Sequence, residues 1–182
     1  ATIAQNFWHF MQQRKPRQVL LRVYNPTEAE NGWKANCTVV EVVQEDCPFI
    51  IDSTMGAINH FGLAVHRVIH PILRVRRDGS GQLQDVLSQG AADGIAESCT
   101  HIQCDEIRDP QQLKVLTEHL HKVYADVRAA VADWEPMLSR IDDVTTEIAA
   151  VPDPQAADSA ECRQFLHWLR DNNFTFLGYR TI

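Results

Sequence analysis

Residues 36–63 read NCTVVEVVQEDCPFIIDSTMGAINHFGL, and this stretch decides the fold. Its first part, Asn36–Val43, is rich in β-branched residues and nearly continuously apolar, which predicts a central strand. Pro48 follows a polar turn and occupies a position that is favoured in the first turn of a helix. Apolar residues then recur at helical spacing at Ile51, Met55 and Ile58. Gly62 provides the left-handed residue that often ends a helix, so a helix is predicted near 48–61.

The segments around this unit supply further strands and a second helix. Strands are predicted near 18–24, 63–76 and 98–107 from their β-branched and alternating character. Pro71 lies inside the second of these and cannot donate a ladder hydrogen bond, so that strand is expected to be an edge strand or to be bulged there. A helix near 110–133 carries apolar residues three and four apart, in a narrow seam.

The order strand, helix, strand, strand, helix from residue 36 is most of a ferredoxin-like unit. The fold class is therefore α+β: an antiparallel sheet with helices on one face, plus additional C-terminal helices. Strand 18–24 is expected to lie antiparallel beside strand 36–43, in the place that a final strand would otherwise fill.

The remaining segments set the predicted domain limits. Residues 78–97 contain four of the eight glycines and are expected to form a long hairpin connection. The predicted divisions are an N-terminal helix over 1–17, the main domain over 18–133, a helix over 134–150, a Pro-rich linker over 151–157, and a helix with the truncated start of another domain over 158–182.

Composition excludes several classes of protein. The formal net charge of −7 argues against a nucleic-acid partner, which needs clustered excess Lys and Arg. The five cysteines are an odd number without a CxxC pair, which favours a reducing cytoplasm over a disulfide framework. No apolar run is long enough to cross a membrane.

The sequence offers no catalytic or metal centre. A dinucleotide site needs a glycine-rich turn between strand and helix, and the turn at residues 45–49 has no glycine. His66 and His70 share one face of a strand, with His101 and Cys99 on the third strand. The best-spaced group, Cys99, His101 and Cys104, is divided between two faces by strand parity, which is poor geometry for metal ligands. No catalytic residue, metal or cofactor is therefore expected in this chain.

The candidate site is the turn that opens the helix near 48–61. Asp46 and Asp52 flank the helix start, where carboxylates complement the helix dipole and where free N–H groups can bind the carboxylate of a ligand. The candidate effector or interface residues are Asp46, Pro48, Phe49, Asp52, Gly62 and Leu63. The turn is expected to face Gly62 and Leu63.

An ordered set of motifs extends this interpretation. It consists of Val23–Pro26, Trp33, Thr38–Val43, Asp46–Ser53, His70–Ile72, Val75–Asp78 and Phe174–Arg180. The acidic-x-Pro turn, helix and glycine resemble the signature of ACT domains. The whole set resembles the N-terminal region of the large bacterial NAD-specific glutamate dehydrogenases, from about residue 7 onward.

The resemblance implies a non-catalytic regulatory or assembly domain. The parent enzyme would convert L-glutamate and NAD to 2-oxoglutarate, ammonia and NADH, and NAD would bind elsewhere in the parent. The implied partners are other domains of the same chain, further copies in a homo-oligomer and an amino-acid effector. ACT domains that bind amino acids carry glycine where this chain has Phe49. A phenyl group there would fill the ligand space, which favours the alternative of a purely structural interaction module.

Overall fold

The computed structural model describes residues 2–88, 90–150, 156–174 and 176, which fall into two compact units, residues 1–127 and 128–182. The elements of the first unit, in chain order, are α1 (Thr2–Met11), β1 (Leu20–Tyr24), α2 (Glu28–Asn31), β2 (Thr38–Glu45), α3 (Ile50–His60), β3 (Val65–Ile69), β4 (Ile72–Arg77), β5 (Leu83–Leu87), β6 (Ile95–Cys104) and most of α4 (Pro110–Ala132).

One antiparallel sheet forms the centre of this unit. Its order is β1-β2-β6-β4-β5, and β3 pairs with the other end of β6. β2 and β6 are the central pair, from Thr38 opposite Cys104 to Glu45 opposite Glu97. β1 lies antiparallel beside β2, with Leu20 opposite Val43. The α+β fold class and the position expected for strand 18–24 are therefore confirmed.

The prediction of one strand over 63–76 was wrong in its continuity. The ladder stops after Ile69 and resumes at Ile72, because Pro71 has no N–H to donate. The Pro71 carbonyl still accepts a bond from the Cys99 N–H at 3.0 Å. Both halves follow β6, so the break bends the strand without changing its neighbour.

The connection 78–97 also contains a strand that was not predicted. β5 pairs with β4 as a hairpin. The turn between them is held by the Asp78 carboxylate, which accepts bonds from the N–H groups of Ser80 and Gln82 at 2.9 and 3.1 Å. Gly81 is required there, because an added Cβ would lie 2.4 Å from the Arg14 carbonyl oxygen.

α3 and α4 pack on one face of the sheet. Their buried side chains meet alternate residues of the two central strands, with Val40 and Val42 from β2 and Ile102 and Cys104 from β6. Of the predicted α3 face, Ile58 is fully buried, whereas Ile51 and Met55 are only half-buried; Ile50, Thr54 and Ala57 complete the buried face. The residues of the two helices in this core are Ile50, Ala57, Ile58, Leu116, Leu120 and Tyr124.

α1 packs on the opposite face of the sheet, which extends the expected arrangement of helices on one face. Met11 is buried against Val43, Val75 and Cys99. Val43 and Cys99 alternate with the residues that face α3 and α4. The sheet therefore carries helices on both faces, with α3 and α4 packed on β1, β2, β3 and β6 on one face and α1 on the other.

The second unit begins within α4 and contains α5 (Trp134–Ala150), α6 (Ala156–Trp168) and a π-helical turn (Leu169–Asn173). α5 matches the helix predicted over 134–150. Residues 151–155 of the predicted linker, and residues 175 and 177–182 of the predicted start of another domain, lie outside the described residues. None of the helices in the described ranges is long and apolar enough to cross a membrane.

Candidate functional site

The predicted turn joins the central strand β2 to α3. The Asp46 N–H donates to the Ala96 carbonyl at 2.9 Å, which fixes the end of β2 against β6. Phe49 is the N-cap residue of α3 and has φ +70° and ψ 1°, in the left-handed region. That region is rarely adopted by a bulky residue. Because the phenyl group cannot accept a bond, the first turn of α3 has no side-chain cap from Phe49.

The residues of the turn form an accessible acidic surface. Asp46, Pro48 and Asp52 are exposed, and Phe49 is half-buried. Asp52 lies in the first turn of α3. Its carboxylate there complements the positive end of the helix dipole, so it has a structural role whether or not a ligand binds.

Gly62 and Leu63 lie at the other end of α3. Gly62 has φ +71°, so the helix ends in the left-handed residue that the sequence predicts.

Asp105, just after β6, fixes the start of β3. Its carboxylate accepts bonds from the Ala64 N–H at 2.9 Å and from His66 Nε2 at 2.7 Å. The Ala64 N–H, and then His66, hold the pKa of Asp105 below its ordinary value.

The structure does not bring the two halves of the predicted site together. α3 has 11 residues and is about 16 Å long at 1.5 Å per residue. Glu45 pairs with Glu97 at the start of β6, whereas Val65 pairs with Cys104 at its end. The Asp46–Asp52 turn and the Gly62–Leu63 pair thus lie at opposite ends of α3, and one amino-acid-sized ligand cannot touch both in a single chain.

The turn does not fit a dinucleotide. The strands beside it are antiparallel, and a phenyl side chain lies where a pyrophosphate needs close access to the backbone. Within the described ranges, no three or more His, Cys, Asp or Glu side chains are grouped so that they could hold a metal ion. Two of the candidate ligand histidines instead contact other side chains, His70 with Ser98 at 2.7 Å and His101 with Glu41 at 2.7 Å.

Two buried carboxylates, not predicted from the sequence, lie on the face of the sheet towards α1. Glu97 is fully buried and bonds to Arg14 Nε at 2.8 Å and to Arg77 Nε at 2.7 Å. Glu41 is fully buried and is paired with Arg22 and His101. The sequence does contain an indication of the buried Glu41, because it is the single charged residue within the mainly apolar segment 38–43, TVVEVV.

These charges fasten α1 to the sheet. Arg77 Nη2 donates to the Met11 carbonyl at 2.9 Å and Nη1 to the Gln12 carbonyl at 3.2 Å, at the C-terminal end of α1. A cation there also complements the helix dipole. The Arg22 guanidinium lies 4.4 Å from the centre of the Phe10 ring, within range of a cation–π contact.

The buried thiols are not suited to nucleophilic chemistry. Burial, and then the nearby Glu97, raises the pKa of Cys99 to about 12. Burial likewise raises the pKa of Cys104 to about 12. A thiol must lose its proton to attack, so neither residue is an active nucleophile near neutral pH.

Comparisons with known proteins agree on one family. Residues 1–120 match the family described as "Glutamate dehydrogenase, ACT1 domain". The chain is 38% identical over 176 residues to an NAD-specific glutamate dehydrogenase of Halomonas elongata, which covers 94% of this chain and 11% of that protein. It is 34% identical over 175 residues to the protein of the same name from Pseudomonas aeruginosa, again covering 94% and 11%. An NAD-specific glutamate dehydrogenase of Mycobacterium tuberculosis is 25% identical over 145 residues. The chain thus spans about a tenth of the length of these relatives.

Proposed function

Because the chain belongs to the glutamate dehydrogenase ACT1 domain family, we propose that it regulates and helps to assemble an NAD-dependent glutamate dehydrogenase. The parent enzyme would convert L-glutamate and NAD to 2-oxoglutarate, ammonia and NADH, with its catalytic and NAD-binding groups outside these residues. The observation that carries the proposal is the family match over residues 1–120, which spans the strands and the helix pair of the ACT-like sheet. The free cysteines fit a cytoplasmic setting for this enzyme.

An amino-acid effector is proposed to bind at the start of α3. The N–H groups of its first turn can bind a carboxylate, and the exposed Asp46 and Asp52 can bind an ammonium group. Since Gly62 and Leu63 lie about 16 Å away along α3, an effector that touches both ends needs a second copy of the chain. Effector binding and homo-oligomerisation would then be coupled at this site.

The alternative is a purely structural module that joins subunits or domains and has no small-molecule ligand. Phe49 supports this alternative, because its half-buried side chain lies at the start of α3, where an effector would approach the backbone. An apolar group at this exposed corner suits contact with another protein surface.

Isothermal titration calorimetry with a panel of amino acids tests the first proposal, and analytical ultracentrifugation over a range of concentrations tests both. Saturable heat that is lost in Asp46→Asn and Asp52→Asn, but kept in the exposed control Asp126→Asn, would support an effector site. No heat together with a concentration-dependent dimer would support the structural module. Glutamate-dependent reduction of NAD by these 182 residues alone would contradict both.

A further inference from the structure

A groove opens between α1 and the sheet, on the face opposite α3 and α4. Its volume is about 440 Å³. Its walls are mainly apolar. α1 forms one side, and the junction of β3 and β4 together with part of β6 forms the other. The principal residues are Ile3, Phe7, Trp8, Ile69, Leu73 and His101. We propose that this groove is a binding site for a small apolar molecule that carries no charge where it meets the floor of the groove.

The size and shape of the groove favour a small molecule. Small-molecule sites are usually concave, mostly apolar and roughly 300–1,000 Å³ in volume. The mouth is accessible, since Trp8 is 46% exposed and Ile69 is 48% exposed at its rim.

The groove is held open by polar anchors at its edges. Arg77 bonds to the carbonyls of Met11 and Gln12 and so fixes the C-terminal end of α1. Arg22 bonds to the Asn6 carbonyl at 3.2 Å and is fixed in turn by the buried Glu41. Because α1 is tied at these points, its N-terminal half cannot move onto the sheet to close the gap without breaking these hydrogen bonds.

The floor of the groove sets the chemistry of the ligand. His101 is 4% exposed, and its Nδ1 lies 2.7 Å from Glu41 Oε1. Its Nε2 lies 3.1 Å from the Gln103 amide nitrogen, so both ring nitrogens already have partners. Cys99, beside it, remains a neutral thiol near neutral pH. A charged ligand group would lose its water here without gaining a counter-ion, and that loss is strongly unfavourable.

This site does not depend on the proposed function, because it lies on the other face of the sheet from α3. A competing occupant would be an apolar side chain of a second copy of the chain. The concave shape and the volume, which lies within the usual range of small-molecule sites, favour the small molecule, and the experiment below separates the two.

The test uses the whole chain and two naphthalene probes that differ by one sulfonate. N-phenyl-1-naphthylamine, which is uncharged, should bind saturably with one probe per chain, measured by the rise in its fluorescence. The sulfonate analogue, 1-anilinonaphthalene-8-sulfonate, should bind at least about tenfold more weakly, a difference of about 1.4 kcal/mol. Light scattering should show the same molar mass with and without the uncharged probe.

Two variants locate the binding. Ala4→Phe places a ring at the rim of the groove, and Ile69→Gln makes the opposite rim polar; each should weaken binding of the uncharged probe about tenfold or more. The matched control Ala125→Phe puts the same ring on an exposed position of α4 and should leave the affinity unchanged. Absence of one-to-one binding, equal affinity for both probes, or unchanged affinity in both rim variants would overturn the proposal. Probe binding that dissociates a dimer would also overturn it, in favour of a contact between chains.

Discussion

Arg14 and Glu97 are both fully buried, and Nη2 of Arg14 lies 2.7 Å from Oε1 of Glu97. The same carboxylate also binds Arg77, whose side chain is 5% exposed. Arg14 lies just after α1, Arg77 ends β4, and Glu97 lies in the central strand β6. One carboxylate therefore links the N-terminal segment, the neighbouring strand β4 and the central strand β6. Arg14 and Glu97 are 83 residues apart in sequence.

Replacing Glu97 with Gln should destabilise the chain strongly. The change leaves the buried Arg77 without its carboxylate and leaves Arg14 with only the half-exposed Glu45, 3.7 Å away. Removing one partner of a buried pair typically costs about 3–5 kcal/mol. Urea denaturation followed by circular dichroism measures the loss. The matched control Glu118→Gln breaks an exposed pair with Lys114, and it should change the free energy of unfolding by less than about 1 kcal/mol. Similar small effects for both variants would show that the buried pair is not needed.

Much of the sheet could be predicted from local patterns. The strands near 36–43 and 98–107 are dense in β-branched or alternating residues, and both are central in the sheet. β5 was missed because glycines dominate its surroundings, whereas its turn is set by the Asp78 side chain, which no periodicity reveals. The packing of α1 was missed for another reason, because it depends on Arg77 and Arg22, which are distant from α1 in sequence.

Phe49 should be more costly in backbone energy than glycine at the same position. A left-handed conformation costs an L-residue roughly 1–2 kcal/mol, and glycine adopts it readily. Both Phe49→Ala and Phe49→Gly lose the phenyl contacts, so the difference between them isolates the backbone. We expect Phe49→Gly to be the more stable variant by about 1 kcal/mol, measured by urea denaturation.

Gly56 lies on the same helix and provides a control for Phe49, because alanine should be favoured over glycine there. It lies in the interior of α3 with an exposed surface, and an added Cβ would meet nothing within 4 Å. Gly56→Ala should therefore stabilise the chain by up to about 1 kcal/mol, because alanine is the better helix former. If alanine were favoured over glycine at both positions, the left-handed conformation of Phe49 would carry no strain.

Asp105 should stabilise the chain in a pH-dependent way. Its pKa is lowered by the Ala64 N–H and by His66, so its contribution is fully present above the ordinary carboxyl pKa of about 3.9. The contribution is lost as the pH falls through the lowered value. The difference in unfolding free energy between the chain and Asp105→Asn should therefore shrink below about pH 4.

A carboxyl titration followed by NMR gives a direct check on Asp105. His66→Ala removes the weaker of its two principal partners and leaves the Ala64 N–H in place. The Asp105 midpoint should then rise only partly towards the ordinary value. A midpoint that is already ordinary in the unmodified chain would contradict the geometry around the start of β3.

The candidate site was only partly predictable. The acidic-x-Pro turn and the terminal Gly62 were recognisable because both belong to the local chemistry of one helix. The distance between the turn and Gly62 was not predicted, because the two ends of α3 are close in sequence although the helix holds them about 16 Å apart. The groove could not be predicted from local sequence patterns either. Its residues Trp8, Ile69 and His101 are far apart in sequence and line the same groove only in the folded chain.

The five thiols should react at very different rates with Ellman's reagent at pH 8. Cys162 is exposed and should react first, whereas Cys99 and Cys104 are buried with pKa values of about 12. At pH 8 such thiols are almost wholly protonated, so their reaction requires local or global unfolding. Cys162→Ser should abolish the fastest phase, and Cys99→Ser should remove one slow equivalent while leaving that phase intact. Rapid modification of Cys99 in the folded chain would show that the floor of the groove is open to water and charged reagents, and the ligand chemistry inferred for the groove would then be wrong.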